Sequence, residues 1–147
     1  MIHLVNNFIS LSFSETSGSL YSIRKVNKQV NMLSEDSSEL PLFTIRWRKD
    51  KSNDTKHLTA KDASNLLISS KEDGKSNAIY FRYEFNDQPI SEVLVTVSVP
   101  TENSSAIFDF ETIVNSDEGY IEWISYPGIY VPNNLIKSGG DGRILWP

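Results

Sequence analysis

The chain has 147 residues, within the range of one domain that can bury its own core, and its 14 basic against 19 acidic residues give a net charge of −5. With 39% hydrophobic and 22% charged residues the composition is globular rather than disordered, and its acidic balance argues against nucleic acid, whose phosphates require a basic stripe. There is no cysteine, which excludes disulfides, thiolate catalysis and cysteine-held metal, and no run of about 18 apolar residues that would span a membrane as a helix.

The opening Met1 to Asn7 lacks a basic start and a continuous apolar stretch, so it does not read as a secretory signal. Bacterial cytosol, periplasm and exterior all stay open as compartments, and His3 is expected in a fraying terminus. From Asn7 to Ser14, Ile9, Leu11 and Phe13 alternate with Ser10, Ser12 and Ser14. Successive strand side chains point to opposite faces, so this is a half-buried strand. Glu15 to Gly18 supplies turn residues, and a second strand is expected over Leu20 to Val26.

Leu42 to Arg48 reads as a strand running into a polar loop, Lys49 to Lys56. Ser34 to Glu39 reads as another surface loop. The densest basic stretch, Arg46, Arg48, Lys49 and Lys51, is interrupted by Asp50 and Asp54 and reads as a solvated strand end and turn. Leu58 to Leu67 fits a 3.6-residue period loosely, but it is short and carries Ser64 and Asn65, so it is read as strand and loop.

Ala78 to Phe85 is the clearest strand, with Ile79, Phe81, Tyr83 and Phe85 on one face. Glu92 to Val99 places Val93, Val95, Val97 and Val99 on a β-branched face, and Pro100 ends the run because it cannot donate to a ladder. Ala106 to Val114 sets Phe108, Phe110, Thr112 and Val114 against Ile107, Asp109, Glu111 and Ile113. A loop over Asn115 to Gly119 then returns the chain into a strand over Tyr120 to Tyr126, closed by Pro127-Gly128. Eight or more such strands with Gly, Asn, Asp and Pro between them predict a single all-β domain over 1–147, an antiparallel β-sandwich.

No motif names a reaction. Serine catalysis needs a histidine base, and the two histidines, His3 and His57, are read as solvated strand-end residues. Asp109 and Glu111 share a strand face about 7 Å apart, inside the roughly 6.5–9.5 Å carboxyl separation of inverting glycosidases. Any acidic pair two apart on a strand shares that spacing, so a solvent-facing acidic strip is the plainer reading. Ser138-Gly139-Gly140-Asp141-Gly142 has too few carboxylates for calcium and no following helix for phosphate, so it reads as a turn. No catalytic residue, metal ligand or cofactor site is assigned. The remaining signal is aromatic: Trp123, Tyr126, Tyr130 and Trp146, with Tyr120 nearby, crowd the last quarter. Such rings serve as core, as a surface that docks a neighbouring domain, or as a sugar platform.

Asn7-Phe8-Ile9-Ser10-Leu11-Ser12-Phe13-Ser14 followed by Thr16-Ser17-Gly18-Ser19-Leu20-Tyr21-Ser22-Ile23 resembles the start of the galactose-mutarotase-like supersandwich domain that precedes the catalytic barrel in several glycoside hydrolases. The ending, Gly119 to Gly128 and then Gly142 to Pro147, is similar to the segment that leads from that domain toward the barrel. The resemblance implies a non-catalytic N-terminal accessory domain, with the acid and nucleophile on a downstream catalytic domain of the same chain. The apolar ending Ile144-Leu145-Trp146-Pro147 suits such a fragment. Mutarotases themselves use histidine and glutamate, and no counterpart histidine motif is found here. A free-standing carbohydrate-binding module and a small sugar epimerase built on His57 are the alternative expectations.

Overall fold

A computed structural model describes residues 1–28 and 30–130, so Trp146 and the glycine-rich stretch at 138–142 lie outside the described residues. Ten strands run through the described chain: β1 (Ile2–Val5), β2 (Ile9–Phe13), β3 (Leu20–Lys25), β4 (Thr44–Lys49), β5 (Thr55–Thr59), β6 (Asn65–Glu72), β7 (Ser76–Glu84), β8 (Ile90–Pro100), β9 (Ile107–Val114) and β10 (Gly119–Ser125). All pairings are antiparallel and form three sheets, ordered β1-β2-β3, β10-β4-β5 and β6-β7-β8-β9.

The alternation in the sequence decides which face each strand buries. In the four-stranded sheet Ile79, Phe81, Tyr83, Val93, Val95, Val97 and Val99 turn inward and are almost wholly buried. Facing them, Leu11 and Phe13 come from the β1-β2-β3 sheet, and Ile45, Trp47 and Leu58 from the β10-β4-β5 sheet. The two small sheets thus share one layer and the four-stranded sheet makes the other, an antiparallel sandwich as expected. Aromatic edges knit the layers: Phe13 lies 5.3 Å from Phe81, and Phe43 meets Tyr83 at 5.0 Å and Phe110 at 5.3 Å, centroid to centroid. Such offset and T-shaped contacts suit the ring quadrupoles.

Two elements depart from the sequence reading. Residues 2–5, expected to fray, pair with β2 from Ile2↔Phe13 to Val5↔Ser10, and His3 Nδ1 lies 3.0 Å from Ser12 Oγ. Leu4 explains the difference, since its burial in the core outweighs the disorder usual at a terminus. The second is the length of β6, which runs to Glu72 along the full length of β7. Its outer half, Ser69-Ser70-Lys71-Glu72, carries no apolar alternation because it is an exposed sheet edge. Over Leu58 to Leu67 the structure has strand and loop as read: β5 ends at Thr59, a 3-10 turn spans Ala60–Asp62, and β6 starts at Asn65. Of the β9 face expected to turn inward, Phe108 and Phe110 pack on the core, whereas Val114 is exposed where the strand runs out.

Candidate functional site

The strand β10 is an edge of its sheet, and its outward side chains Tyr120 and Trp123 are exposed to solvent. It starts at Gly119 because a side chain there would collide with the neighbouring strand: a Cβ would stand 2.3 Å from the Arg48 carbonyl oxygen and 2.7 Å from Trp47 Nε1. Register then pairs Tyr120 with Arg48 and Trp123 with Arg46, with a β-bulge between Ile121 and Trp123. A bulge sets two residues against one, which lets Glu122 and Trp123 both reach the side of the sheet that Arg46 faces. On the far side β5 completes the rows, Thr55 opposite Arg48 and His57 opposite Arg46.

The result is an exposed face with an aromatic residue at either end of an ionic cluster. Trp123 is 39% exposed and Tyr120 49% exposed. Between them the Glu122 carboxylate holds both guanidinium groups. Its Oε2 lies 2.8 Å from Arg46 Nε, while its Oε1 accepts from Arg48 Nε at 2.9 Å and Nη2 at 2.6 Å. The Glu122 bond pushes the Arg48 guanidinium further toward its charged form. The His57 ring lies 5.8 Å from the Trp123 indole, tilted by 46°. A hollow of about 490 Å3 continues past Arg48 and Tyr120 into the β4–β5 turn, lined also by Lys49, Asp50, Lys51 and Asn53.

The aromatics singled out from the sequence do not form one row. Trp123 belongs to this face. Tyr126 turns the other way, its ring 4.9 Å from Phe110 and 6.1 Å from Phe108. Burial raises its phenol well above the ordinary tyrosine value, and the hydroxyl lies 3.4 Å from the Asp109 carbonyl oxygen. Tyr130 is exposed and tied through its backbone, its carbonyl accepting from Ser34 N at 2.9 Å and from Ser37 Oγ at 2.9 Å.

Asp109 and Glu111 lie on the outer face of the four-stranded sheet, away from His57, which belongs to the other layer. Register places Leu67, Arg82, Leu94 and Glu111 in one row there, and Ser69, Tyr80, Thr96 and Asp109 in the next. These rows line a shallow hollow of about 360 Å3, and Arg82 is held by Glu92 at 2.8 Å. Among the described residues no group of three or more His, Asp or Glu side chains is close enough to hold a metal ion, and no helix is long and apolar enough to cross a membrane.

What the sequence reading missed is the ionic centre of the face. Arg46 and Arg48 alternate with Ile45 and Trp47, which marks them as outward-facing, but their partner Glu122 is 74 residues from Arg48 in sequence and only strand register finds it. No family model and no curated protein matches this chain, and no solved structure matches it.

Proposed function

We propose that this chain is a non-catalytic, carbohydrate-binding β-sandwich module of a carbohydrate-active protein, with the outer face of β4, β5 and β10 as its sugar platform. The observation that carries the reading is the joint exposure of Trp123 and Tyr120 around the Arg46–Glu122–Arg48 cluster. A sugar ring has a face of C–H groups that packs on a flat aromatic ring, and hydroxyls around its rim that need both donors and acceptors. Guanidinium groups donate and a carboxylate accepts, so this cluster offers both beside the rings. The face is ready-made, because the bulge, the edge strand and the ion pairs hold its groups without a ligand. The platform is tested by titrating intrinsic tryptophan fluorescence with a broad panel of oligosaccharides and repeating it with Trp123→Ala. Saturable binding that the variant loses is expected, and no response across the panel overturns the reading.

A second reading has support of its own: an N-terminal, galactose-mutarotase-like accessory domain that braces a downstream catalytic barrel of a glycoside hydrolase. Ile107, Ile113 and Val114 are exposed on β9, the outermost strand of the four-stranded sheet, where a neighbouring domain would cover them. The intact mass of the native gene product from its source cells decides this reading. A product several times larger than 16.6 kDa supports it, and a product of 16.6 kDa removes it. The epimerase alternative gains nothing from the geometry, since His57 lies on an open face in the layer opposite Asp109 and Glu111.

A further inference from the structure

We infer that the sugar platform is built for an acidic saccharide, a chain of uronate or sulfated units, rather than a neutral one. The inference rests on the carbohydrate-binding reading and names the ligand class of that same face. It starts from a charge asymmetry between the two outer surfaces of the sandwich. The outward residues of the β10-β4-β5 sheet include two guanidinium groups, Arg46 and Arg48, against the single carboxylate of Glu122, a surplus of one positive charge. The outward residues of the four-stranded sheet include Lys71 and Arg82 against Glu84, Glu92, Asp109 and Glu111, a surplus of two negative charges. In a chain of net charge −5, the face that carries Trp123 and Tyr120 is the positive one, whereas the exposed Tyr80 stands on the negative face.

Hydrogen-bond geometry points the same way. Glu122 accepts hydrogen bonds from Nε and Nη2 of Arg48, while its contact with Arg46 Nε is an ion pair at 2.8 Å without hydrogen-bond geometry. The remaining guanidinium N–H groups keep their donors for a ligand, and two planar guanidinium forks side by side match the oxygens of a carboxylate or sulfate. Lys51 adds a cation at the edge of the same surface, in the hollow beside Arg48 and Tyr120. The net negative charge of the whole molecule does not cancel this attraction, because exposed charges farther away than about 10 Å are largely screened at 0.1 M salt.

The test uses the full chain with polygalacturonate and with neutral galactan of matched length, at low and high salt. Polygalacturonate is expected to bind about tenfold tighter at low salt, the gain of one charge-assisted hydrogen bond. The preference should collapse at high salt and in Arg46→Gln, while Trp123→Ala lowers binding of both polymers. Equal affinity for the two polymers overturns the acidic-ligand inference and leaves the platform reading standing. Failure of both to bind overturns the acidic-ligand inference, and with no response across the oligosaccharide panel the platform reading falls with it. Single-stranded DNA is the third arm: if it displaces polygalacturonate at equal charge concentration, the face is a general polyanion surface and the saccharide assignment falls.

Discussion

Glu122 reaches Arg48 across the β4–β10 pair with one carboxylate oxygen, Oε1, placed 2.9 Å from Nε and 2.6 Å from Nη2 of the same guanidinium. Counted on from Tyr120↔Arg48, Glu122 falls on the outward face, and the bulge after Ile121 brings Trp123 opposite Arg46 onto that same face beside it. The pair is solvated, so it serves mainly to orient the arginines and adds little to stability. Glu122→Gln should therefore leave the urea midpoint of unfolding close to the wild-type value. It should also strengthen polygalacturonate binding at low salt several-fold, because the face gains one net positive charge while a side-chain oxygen still accepts from Arg48. Weaker binding in this variant would show that the carboxylate contacts the ligand itself.

Gly18 has φ of +69, and a Cβ there would lie 2.0 Å from the Tyr83 hydroxyl, which donates to the Ser17 carbonyl at 3.1 Å. Gly18→Ala forces the left-handed backbone onto a residue that disfavours it and displaces a buried phenol from its acceptor. A loss of about 2–3 kcal/mol in urea unfolding is expected, combining backbone strain with a lost buried hydrogen bond. Tyr83→Phe removes the hydroxyl, so Gly18→Ala in that background should cost clearly less, which a double-mutant cycle reads directly.

Phe43 is fully buried where the layers meet, in ring contact with Tyr83, Phe85 and Phe110. Phe43→Ala is expected to destabilise the domain by about 3–5 kcal/mol through lost transfer energy and an unfilled cavity. Phe43→Leu should cost about half as much, as read from the shift in urea midpoint at constant slope.

Burial raises the phenols of both Tyr83 and Tyr126 above the ordinary tyrosine value, because phenolate is poorly solvated inside the sandwich. The folded state therefore keeps these two protons when the unfolded chain has begun to lose its own, near pH 10. Stability is then undiminished below that pH and falls as pH rises beyond it, the sign expected when the folded-state value is the higher one. Absorbance at alkaline pH should show two of the six tyrosines ionising only together with unfolding. Tyr83→Phe should reduce that group to one.

Most of the fold was legible in the sequence because alternation reports burial directly. Ile79-Tyr80-Phe81-Arg82-Tyr83 and Val93-Leu94-Val95-Thr96-Val97 each assign one face to the core, and the structure buries those faces. Alternation weakens where a strand has little to bury. So β6, an edge with Ser69, Ser70, Lys71 and Glu72 in its outer half, was only partly readable, and β1 rests on the single buried Leu4. Trp123 was legible as an aromatic worth attention, but its exposure was not, and neither was the burial of Tyr126 three residues later. The register after Trp123 is unbroken, so the odd spacing puts the two on opposite faces, and the bulge before Trp123 decides that Trp123 takes the outward one. The sequence by itself determined the all-β class, most strand faces and the composition of the core, since these follow from local periodicity and the cost of exposing apolar surface. Only the tertiary structure decided that Arg46 and Arg48 meet Glu122 between two exposed rings, because that meeting depends on strand register between segments more than seventy residues apart.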